Sequence, residues 1–509
     1  MRIDREHSVL EFRHGSWLIE AELVDPSTAP LLLWLNGGPG SSSLEGLFFE
    51  NGPYRIGKDG VTVTKNPHSW NKFANVLYLE SPVGVGYSYS TDGVLPQYSD
   101  ELTAAENYAA LVDFFSLYPE YRTLPFYTTG ESYAGVYIPT LSALLIKGIQ
   151  NGDLNINYKG LAVGNGVLNK RTDMNSLFHL SYYHGQITYD VYQTVIRLCC
   201  NGFSDEMDCR LDNHITSWNG MILGGDPNDA CYDYMIQQGM NILLNEFDPY
   251  NLYEQCYTLK TSNDTAPVGD TWRGYKEHKK YRPFTERGST APTYFYIRSG
   301  TIWTPIFGTH KQIYNQTNPT AEASFNYIIN SPYYTSNNFA ILLYSGDVDT
   351  MCNWMGAEWF TTQYFGGSFG LGLPARQPWN YQTDPVYYST LGGYARRYAK
   401  NIDVLTVKGS GHFVPLDRPA QALQMIYNWV YRLDYSTPFT LTAATTPTPT
   451  SPTSTTPSTP RTTRSSAGTS RASTAPVNQG STTSSGGASP VSPVNPSSTA
   501  QSAAPTSAT

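Results

Sequence analysis

The sequence predicts an α/β fold, with a mostly parallel central sheet flanked by helices. Six short apolar runs are each followed by glycine and polar residues, as in parallel sheets whose functional groups lie at the carboxyl ends of the strands. Helix-compatible stretches such as residues 102–118 separate the runs, which gives the strand–helix alternation of this class. In chain order, the runs are residues 30–35, 75–79, 126–129, 161–163, 340–344 and 404–407.

Glycines and residues with catalytic side chains follow these runs. The first run ends in a glycine-rich loop, and the others lead to acids, a serine, an asparagine or a histidine. Because the carboxyl ends of parallel strands lie at one edge of a sheet, we expect the functional site there. In order, the segments after the runs are residues 36–40, 80–86, 130–135, 164–166, 345–349 and 409–412.

The alternation stops between Gly166 and Ser336, where clustered cysteines, polar loops and irregular helical patches replace it. We interpret this segment as a largely helical cap inserted over the open end of the sheet. After Tyr435 the chain is almost entirely Ser, Thr, Pro, Ala and Gly, which cannot bury a core. The predicted parts are therefore 1–166 (core, first part), 167–336 (cap), 337–436 (core, second part) and 437–509 (disordered tail).

Composition excludes several classes of function. With 509 residues, of which 40% are hydrophobic, the chain can bury a large core. Its formal net charge of −9 argues against nucleic-acid binding, which requires clustered lysine and arginine. No run approaches the ~20 apolar residues of a membrane span, so no membrane partner is expected.

Cysteine usage indicates disulfides in a secretory protein. Five of the six cysteines lie within residues 199–256, without a C-x-x-C pair, so we expect no metal site. Glycosylation sequons begin at Asn263 and Asn315, although such short motifs also arise by chance. The first residues lack the apolar segment of a signal peptide. Either the chain starts downstream of its true N-terminus, which we favour, or the secretory interpretation is wrong.

The third run leads into a predicted nucleophile elbow. Ser132 lies between Gly130 and Ala134, small residues that let a strand and a helix cross closely at a sharp turn. The second glycine of the usual pattern is here an alanine, and an ordinary polar turn would match as well. The interpretation therefore depends on finding a base and an acid elsewhere in the chain.

The later strand ends supply a base and an acid. A serine nucleophile needs a histidine base that a carboxylate orients. In α/β-hydrolases, the fold predicted here, the chain order is serine, acid, histidine. Ser132 is followed by two acids, Asp347 and Asp349, and then by His412 just past the sixth run. Spacing alone does not separate the two aspartates.

Four motifs together resemble the serine carboxypeptidase family, in particular its animal lysosomal members. They are WLNGGPG at 34–40, GESYAG at 130–135, GDVD with CNW at 346–354, and GHFVP at 411–415. The resemblance spans about residues 12–435 and implies that Asp349 is the acid. It also implies an oxyanion hole formed by the backbone N–H groups of Gly38 and Tyr133, and a mechanism without a cofactor.

The resemblance further implies a site for the substrate's terminal carboxylate. The residues that match the family's asparagine and two glutamates are Asn36, Glu50 and Glu131. Carboxyl groups that face another carboxylate cannot all be ionised, so at least one must keep a proton. We therefore expect a serine carboxypeptidase that acts on peptides and proteins and prefers acidic pH. Without the resemblance, both glutamates would be interpreted as ordinary helix-end or surface residues.

The cysteines partly match the family. The resemblance implies two local bridges, for which we predict Cys199–Cys231 and Cys200–Cys209 among three pairings. A further family bridge is lost, because serine stands at position 41 and the distant partner is absent.

Two other cysteines have no predicted partner. Cys256 resembles a family cysteine that is normally bonded to a cysteine further along the chain. No such partner is found in this sequence, so the Cys256 thiol is expected to be free. Cys352 matches a cysteine that is a free thiol near the active site in members of the family. The alternative is that it is simply a small, buried apolar residue.

Two other functions are consistent with the same residues. An acyltransferase would use the same acyl-enzyme, and a non-catalytic scaffold that protects glycosidases would not need the triad. The three carboxylate-binding residues favour peptide C-termini, and the intact triad argues against a purely scaffolding role. A homodimer and glycosidase partners are expected from the resemblance alone. We expect a lysosomal, vacuolar or secreted protein.

Overall fold

The computed structural model describes most of the chain up to residue 441. The predictions for Cys256, Asn263 and the tail beyond residue 441 lie outside the described residues. The described ranges are 2–3, 7–9, 12–56, 62–91, 94, 96–200, 206–218, 221–239, 248–254, 314–381 and 389–441.

The six predicted runs form the contiguous parallel centre of a ten-stranded sheet. The pairs from β8 to β19 are parallel, whereas the pairs toward both edges are antiparallel. In spatial order, the strands are β1 (Arg2–Ile3), β4 (Ser16–Ile19), β8 (Asn75–Leu79), β5 (Leu31–Leu35), β11 (Phe126–Glu131), β12 (Tyr158–Gly164), β16 (Ala340–Gly346), β19 (Ile402–Val407), β18 (Thr390–Tyr398) and β17 (Gln377–Tyr381).

Within the described ranges, shorter strands form four small sheets outside the central one. One of them, the parallel pair β10–β15, joins the start of the first long helix to the chain that returns from the cap segment. These strands are β2 (His7–Val9), β3 (Phe12–His14), β6 (Tyr54–Ile56), β7 (Val63–Lys65), β9 (Tyr89–Ser90), β10 (Tyr98–Ser99), β13 (Ile215–Trp218), β14 (Met221–Gly225) and β15 (Tyr314–Asn315).

The helix predicted at residues 102–118 is α1, which begins two residues earlier because the Ser99 hydroxyl accepts from the Leu102 N–H. None of the helices within the described ranges is both long and apolar enough to cross a membrane. The α-helices are α1 (Asp100–Leu117), α2 (Ala134–Asn151), α3 (Lys170–Tyr183), α4 (Tyr189–Cys199), α5 (Ala230–Tyr234), α6 (Glu322–Asn330), α7 (Pro332–Ser336), α8 (Trp354–Thr361), α9 (Val414–Asp417) and α10 (Pro419–Val430). Single 3₁₀ turns lie at Trp70–Lys72, Pro119–Thr123, Glu206–Asp208 and Leu211–Asn213, and π turns at Gly46–Glu50, Met235–Gly239 and Thr362–Ser368.

Helices cover both faces of the central sheet. Because side chains alternate along a strand, Leu33 of β5 packs in a core that includes residues of α1, α2 and α6. Its neighbour Leu32 packs in a second core with Trp429 of α10. Both cores exclude water from the central strands, and all five residues of β5 are buried. Because both faces of the parallel strands are buried, their sequences are continuous runs of apolar residues.

The cap segment contains both predicted disulfides. Cys199 is bonded to Cys231, and Cys200 is bonded to Cys209. The four cysteines are buried in one apolar cluster together with Val195 and other residues of α3 to α5. Two bridges and one small core therefore hold α3, α4 and α5 together.

Removing the Cys199–Cys231 bridge by a double serine substitution should lower the free energy of unfolding by about 4 kcal/mol. The bridge closes a separation of 32 residues, and cross-linking a longer loop removes more entropy from the unfolded chain. The matched double substitution at Cys200 and Cys209, separated by 9 residues, should cost about 3 kcal/mol. Urea unfolding measures both values, and a larger loss for the shorter loop would contradict the prediction.

Candidate active site

Ser132 lies at the sharp turn between β11 and α2, with a φ of +63°. A positive φ is strained for a residue with a Cβ. Backbone hydrogen bonds hold it there: the Ser132 N–H donates to the Gly164 carbonyl at 2.9 Å, and the Ser132 carbonyl accepts from the Val167 N–H at 3.0 Å. A Cβ on Gly130 would lie 2.7 Å from the Ala134 methyl group. The turn therefore has the crowded geometry of a nucleophile elbow.

His412 and Asp349 form a buried pair. The distance from His412 Nδ1 to Asp349 Oδ2 is 2.8 Å, and the two side chains are 2% and 0% exposed. Because a carboxylate only accepts hydrogen bonds, Nδ1 is the donor and Nε2 is left to act as a base. The Asn165 amide also donates to Asp349 Oδ2 at 2.8 Å, and the Met351 N–H donates to Oδ1 at 2.8 Å. These bonds fix the orientation of the carboxylate.

Asp347, the other acid that spacing leaves open, has a different partner. Its Oδ1 accepts from the Gly409 N–H at 2.6 Å, so it binds the backbone that precedes His412. Burial raises the pKa of the Asp347 carboxyl. Of the two aspartates, the one that contacts the histidine is Asp349.

Cys352 lies near both the serine and the acid. It is the free cysteine of the described residues, and its buried thiol is close to the Ser132 side chain. Its backbone N–H donates to Asp349 Oδ2 at 3.1 Å. Burial, and then the charge of Asp349, raises the pKa of the thiol well above its usual range. The sulfur is therefore a neutral neighbour of the serine hydroxyl.

Asn36 brings the two predicted glutamates together. Its Oδ1 accepts from the Trp34 indole N–H at 2.8 Å and from the Gly46 N–H at 3.0 Å. The amide nitrogen must then face the other way, and it lies 2.9 Å from Glu50 Oε1 and 3.3 Å from Glu131 Oε1. All three side chains are buried. The residues implied by the resemblance therefore meet at one point.

The two glutamates are buried next to each other. Both carboxyls face the Asn36 amide nitrogen, and neighbouring buried carboxylates favour protonation of one of them. Burial and the charge of Glu50 raise the pKa of Glu131 well above its usual range. Burial also raises the pKa of Glu50, but hydrogen bonds from Glu131 and Asn36 oppose that rise. Both shifts favour a protonated carboxyl in this pair at acidic pH.

Local backbone features bring Glu50 into this position. Glu50 ends a single π turn, a type of irregular turn that is frequent at functional sites. A Cβ on Gly46, the first residue of that turn, would lie 2.1 Å from Trp34 Nε1. Only glycine therefore allows the turn to lie against the indole that orients Asn36.

Two further carboxyls belong to the same region. Burial, followed by the charges of Glu50 and Glu80, raises the pKa of Glu45 to about 8, and burial raises that of Glu80 to about 8. Glu80 accepts from the Ser42 hydroxyl and from the Tyr87 N–H. The position of Glu80 after a strand was visible in the sequence, but no sequence signal identifies Glu45.

The glycine-rich loop after β5 lies against the elbow. A Cβ on Gly37 would lie 2.3 Å from the backbone nitrogen of Tyr133, so only glycine permits this approach. Gly38 has a φ of +108°, which also favours glycine. The loop that contains Gly38 thus lies beside Tyr133, as the predicted oxyanion hole requires.

Two other predicted features have a place in the structure. Asn315, the start of the second sequon, is exposed on β15, where a glycan would have access. Among the described residues, ligand atoms of His214, Asp229 and Cys231 lie within 4.8 Å of one another. The sulfur of Cys231 is bonded to Cys199, so this group offers only two of the three ligands to an ion.

Comparisons with known proteins agree with this geometry. The family model described as serine carboxypeptidase matches residues 16–432. Serine carboxypeptidase ctsa-4.1 of Caenorhabditis elegans is 37% identical over 439 residues, covering 84% of this chain and 88% of that protein. The lysosomal protective protein of Mus musculus is 35% identical over 453 residues, covering 82% of this chain and 88% of that protein.

A solved structure supports the fold. Kex1(delta)p from Saccharomyces cerevisiae, described as a prohormone-processing carboxypeptidase, has a TM-score of 0.58 at 20% identity. The match covers 85% of this chain and 90% of that chain. The predicted α/β-hydrolase fold is confirmed.

Proposed function

The chain belongs to the serine carboxypeptidase family and is a hydrolase of the exopeptidase type, and we propose that it releases C-terminal amino acids through an acyl-enzyme on Ser132, preferentially at acidic pH. The observation that carries this proposal is the contact of Asn36 with both Glu50 and Glu131. Glu131 directly precedes the serine. A protonated carboxyl and an amide N–H can together bind a carboxylate, which is the group that distinguishes a peptide's C-terminus.

The proposed reaction uses the His412–Asp349 pair. His412 Nε2 removes the proton of Ser132 as the hydroxyl oxygen attacks the carbonyl carbon of the last peptide bond. The oxyanion accepts hydrogen bonds from the N–H groups of Gly38 and Tyr133. His412 then gives its proton to the leaving amine, and water hydrolyses the acyl-enzyme by the same steps.

The proposed acid preference follows from the raised pKa of Glu131. Below the raised pKa of Glu131, its carboxyl is neutral and donates a hydrogen bond. As pH rises through that pKa, ionisation places a second negative charge beside Glu50 and beside the substrate's carboxylate. Like charges repel in a buried site, so substrate binding weakens and KM rises.

Matched substrates test the proposed function. An N-blocked dipeptide with a free carboxyl terminus should release its last amino acid faster at about pH 5 than at about pH 7.5. The same dipeptide with a C-terminal amide should be a much poorer substrate at about pH 5, because it lacks the charge that the three side chains bind. Failure of the purified protein to release the amino acid at either pH would overturn the proposal.

Replacing Glu131 with glutamine should flatten the pH dependence of KM. Glutamine remains a neutral hydrogen-bond donor at every pH, whereas the neutral fraction of glutamate falls about tenfold per pH unit above its pKa. The matched control is Glu45→Gln, which removes another raised carboxyl of the region. It should keep a pH-dependent KM, with the midpoint moved to lower pH, because the charge of Glu45 contributes to the raised pKa of Glu131. A Glu131→Gln variant with the wild-type pH profile of KM would contradict the assignment.

We also propose an acidic, oxidising location and partners of two kinds. A lysosomal, vacuolar or secreted location is supported by the two disulfides and by the name of the mouse relative. Association with a second copy of the chain, or with glycosidases, rests on the resemblance. Sedimentation of the purified protein, alone and mixed with a lysosomal glycosidase, tests both associations.

A further inference from the structure

Asp100 is a buried carboxylate at the first residue of α1, outside the predicted site. Its Oδ1 accepts from the Tyr133 hydroxyl at 2.7 Å and from the Tyr314 hydroxyl at 3.0 Å. Tyr133 is the residue after the nucleophile, and its side chain is fully buried. Asp100 therefore holds the side chain of a residue whose backbone N–H is proposed to bind the oxyanion.

The other oxygen of Asp100 binds the chain that returns from the cap segment. Oδ2 accepts from the Asn318 N–H at 2.7 Å, from the Asn318 amide at 3.4 Å and from the Thr317 hydroxyl at 3.2 Å. The segment also pairs with the chain just before Asp100, because β15 lies parallel to β10. One carboxylate thus joins residues 314–318 to the elbow.

A backbone hydrogen bond and a ring contact extend this connection to the glycine-rich loop. The Gly40 N–H donates to the Tyr137 hydroxyl at 3.2 Å. The Tyr137 ring packs against the Tyr133 ring, whose hydroxyl donates to Asp100. Both loops of the proposed oxyanion hole are therefore connected to Asp100.

Tight packing makes this connection stiff. The Tyr133 ring meets the Tyr137 ring edge to face at 5.2 Å and the Tyr314 ring at 5.8 Å. An ionised carboxylate suits the centre of the network, because it only accepts hydrogen bonds. The N-terminal end of α1 stabilises its charge, and so does Lys170 at the start of α3. A network so enclosed has one low-energy arrangement.

We propose that Asp100 is a positioning residue for the oxyanion hole, and that it makes the positions of the two N–H donors depend on residues 314–318. This inference rests on the proposed function, since it assumes that the Gly38 and Tyr133 N–H groups bind the oxyanion. Substrate binding in the ground state needs none of these bonds, so the network acts on kcat rather than on KM.

Three substitutions that each remove one hydrogen-bond contribution test the proposal. Tyr133→Phe, Tyr314→Phe and Asp100→Asn should each lower kcat about tenfold or more with KM nearly unchanged, because small misplacements of donors are costly. A peptide aldehyde, which forms an oxyanion on the serine, should bind more weakly by the same factor. Combining Tyr133→Phe with Tyr314→Phe should give less than the product of the two single losses, because both hydroxyls act through the same oxygen of Asp100.

Glu101→Gln is the matched control. Glu101 adjoins Asp100 and accepts from the Thr317 hydroxyl and from the Asn318 amide, but it has no bond to Tyr133 among the hydrogen bonds of the described residues. Because Glu101 contacts residues 317–318 but not Tyr133, this variant should lose much less kcat and aldehyde affinity than Tyr133→Phe or Asp100→Asn.

The outcomes separate this inference from the proposed function. An active wild-type protein whose Tyr133→Phe and Tyr314→Phe variants keep the wild-type kcat and aldehyde affinity would overturn the role of Asp100. Equal losses in the Glu101→Gln control would also overturn it, since they would indicate a general effect of the helix start. A wild-type protein without peptidase activity would instead refute the proposed function. If Asp100→Asn does not fold, the two phenylalanine variants still decide.

Discussion

Replacing Ser132 with alanine should lower kcat for release of the C-terminal amino acid by about 10⁶-fold. The substitution removes the nucleophile and leaves the Asn36–Glu50–Glu131 cluster in place, so peptide binding should persist. Single-turnover hydrolysis of a labelled N-blocked dipeptide measures the loss. Equilibrium binding of the same dipeptide to the variant measures the affinity that remains.

The His412→Ala variant tests whether Ser132 and His412 act in the same catalytic step. Because the serine and the histidine act as a unit, the double variant should be hardly slower than either single variant. Multiplicative losses in the double variant, or a Ser132→Ala variant with more than a few per cent of wild-type kcat, would contradict the acyl-enzyme mechanism.

Replacing Asp349 with asparagine should lower kcat by about 10⁴-fold. The carboxylate accepts the Nδ1–H of His412 at 2.8 Å, whereas an asparagine amide can donate to that nitrogen. The imidazole would then carry its proton on Nε2, the nitrogen that must act as base. The pH profile of kcat under saturating dipeptide reports the loss.

Asp347→Asn is the matched control, two residues away on the same strand end. Asp347 binds the Gly409 N–H, and an asparagine oxygen can accept that bond equally well. Its kcat should therefore stay within about tenfold of wild type. A larger loss for Asp347→Asn than for Asp349→Asn would reverse the assignment of the acid.

The parallel centre of the sheet could be predicted because burial on both faces leaves a continuous apolar run, as in β5. The edge strands could not, since their patterns lack that signal. β4 has only four residues, and β18 contains two adjacent glycines and two adjacent arginines. Pairing with a neighbouring strand decides their conformation, and that pairing joins positions far apart in the chain.

The site was predicted to the extent that its residues follow strands. Asn165 also follows a strand, but its bond to Asp349 spans 184 residues and has no local signature. The same holds for Asp100, whose partners lie 33 and 214 residues away. Spacing left Asp347 and Asp349 equivalent, and the structure distinguishes them by a single contact with the histidine.

Glu131 is the last residue of its strand and Ser132 is the next residue, so their separation along the chain is fixed. The side chain that would bind the substrate's terminus and the hydroxyl that would attack the peptide bond are separated by one peptide unit. The strained φ of Ser132 and the bonds that maintain it fix that separation. With these roles, the distance from the carboxyl that binds the terminus to the nucleophile, and hence the removal of one residue at a time, would be set by the elbow itself.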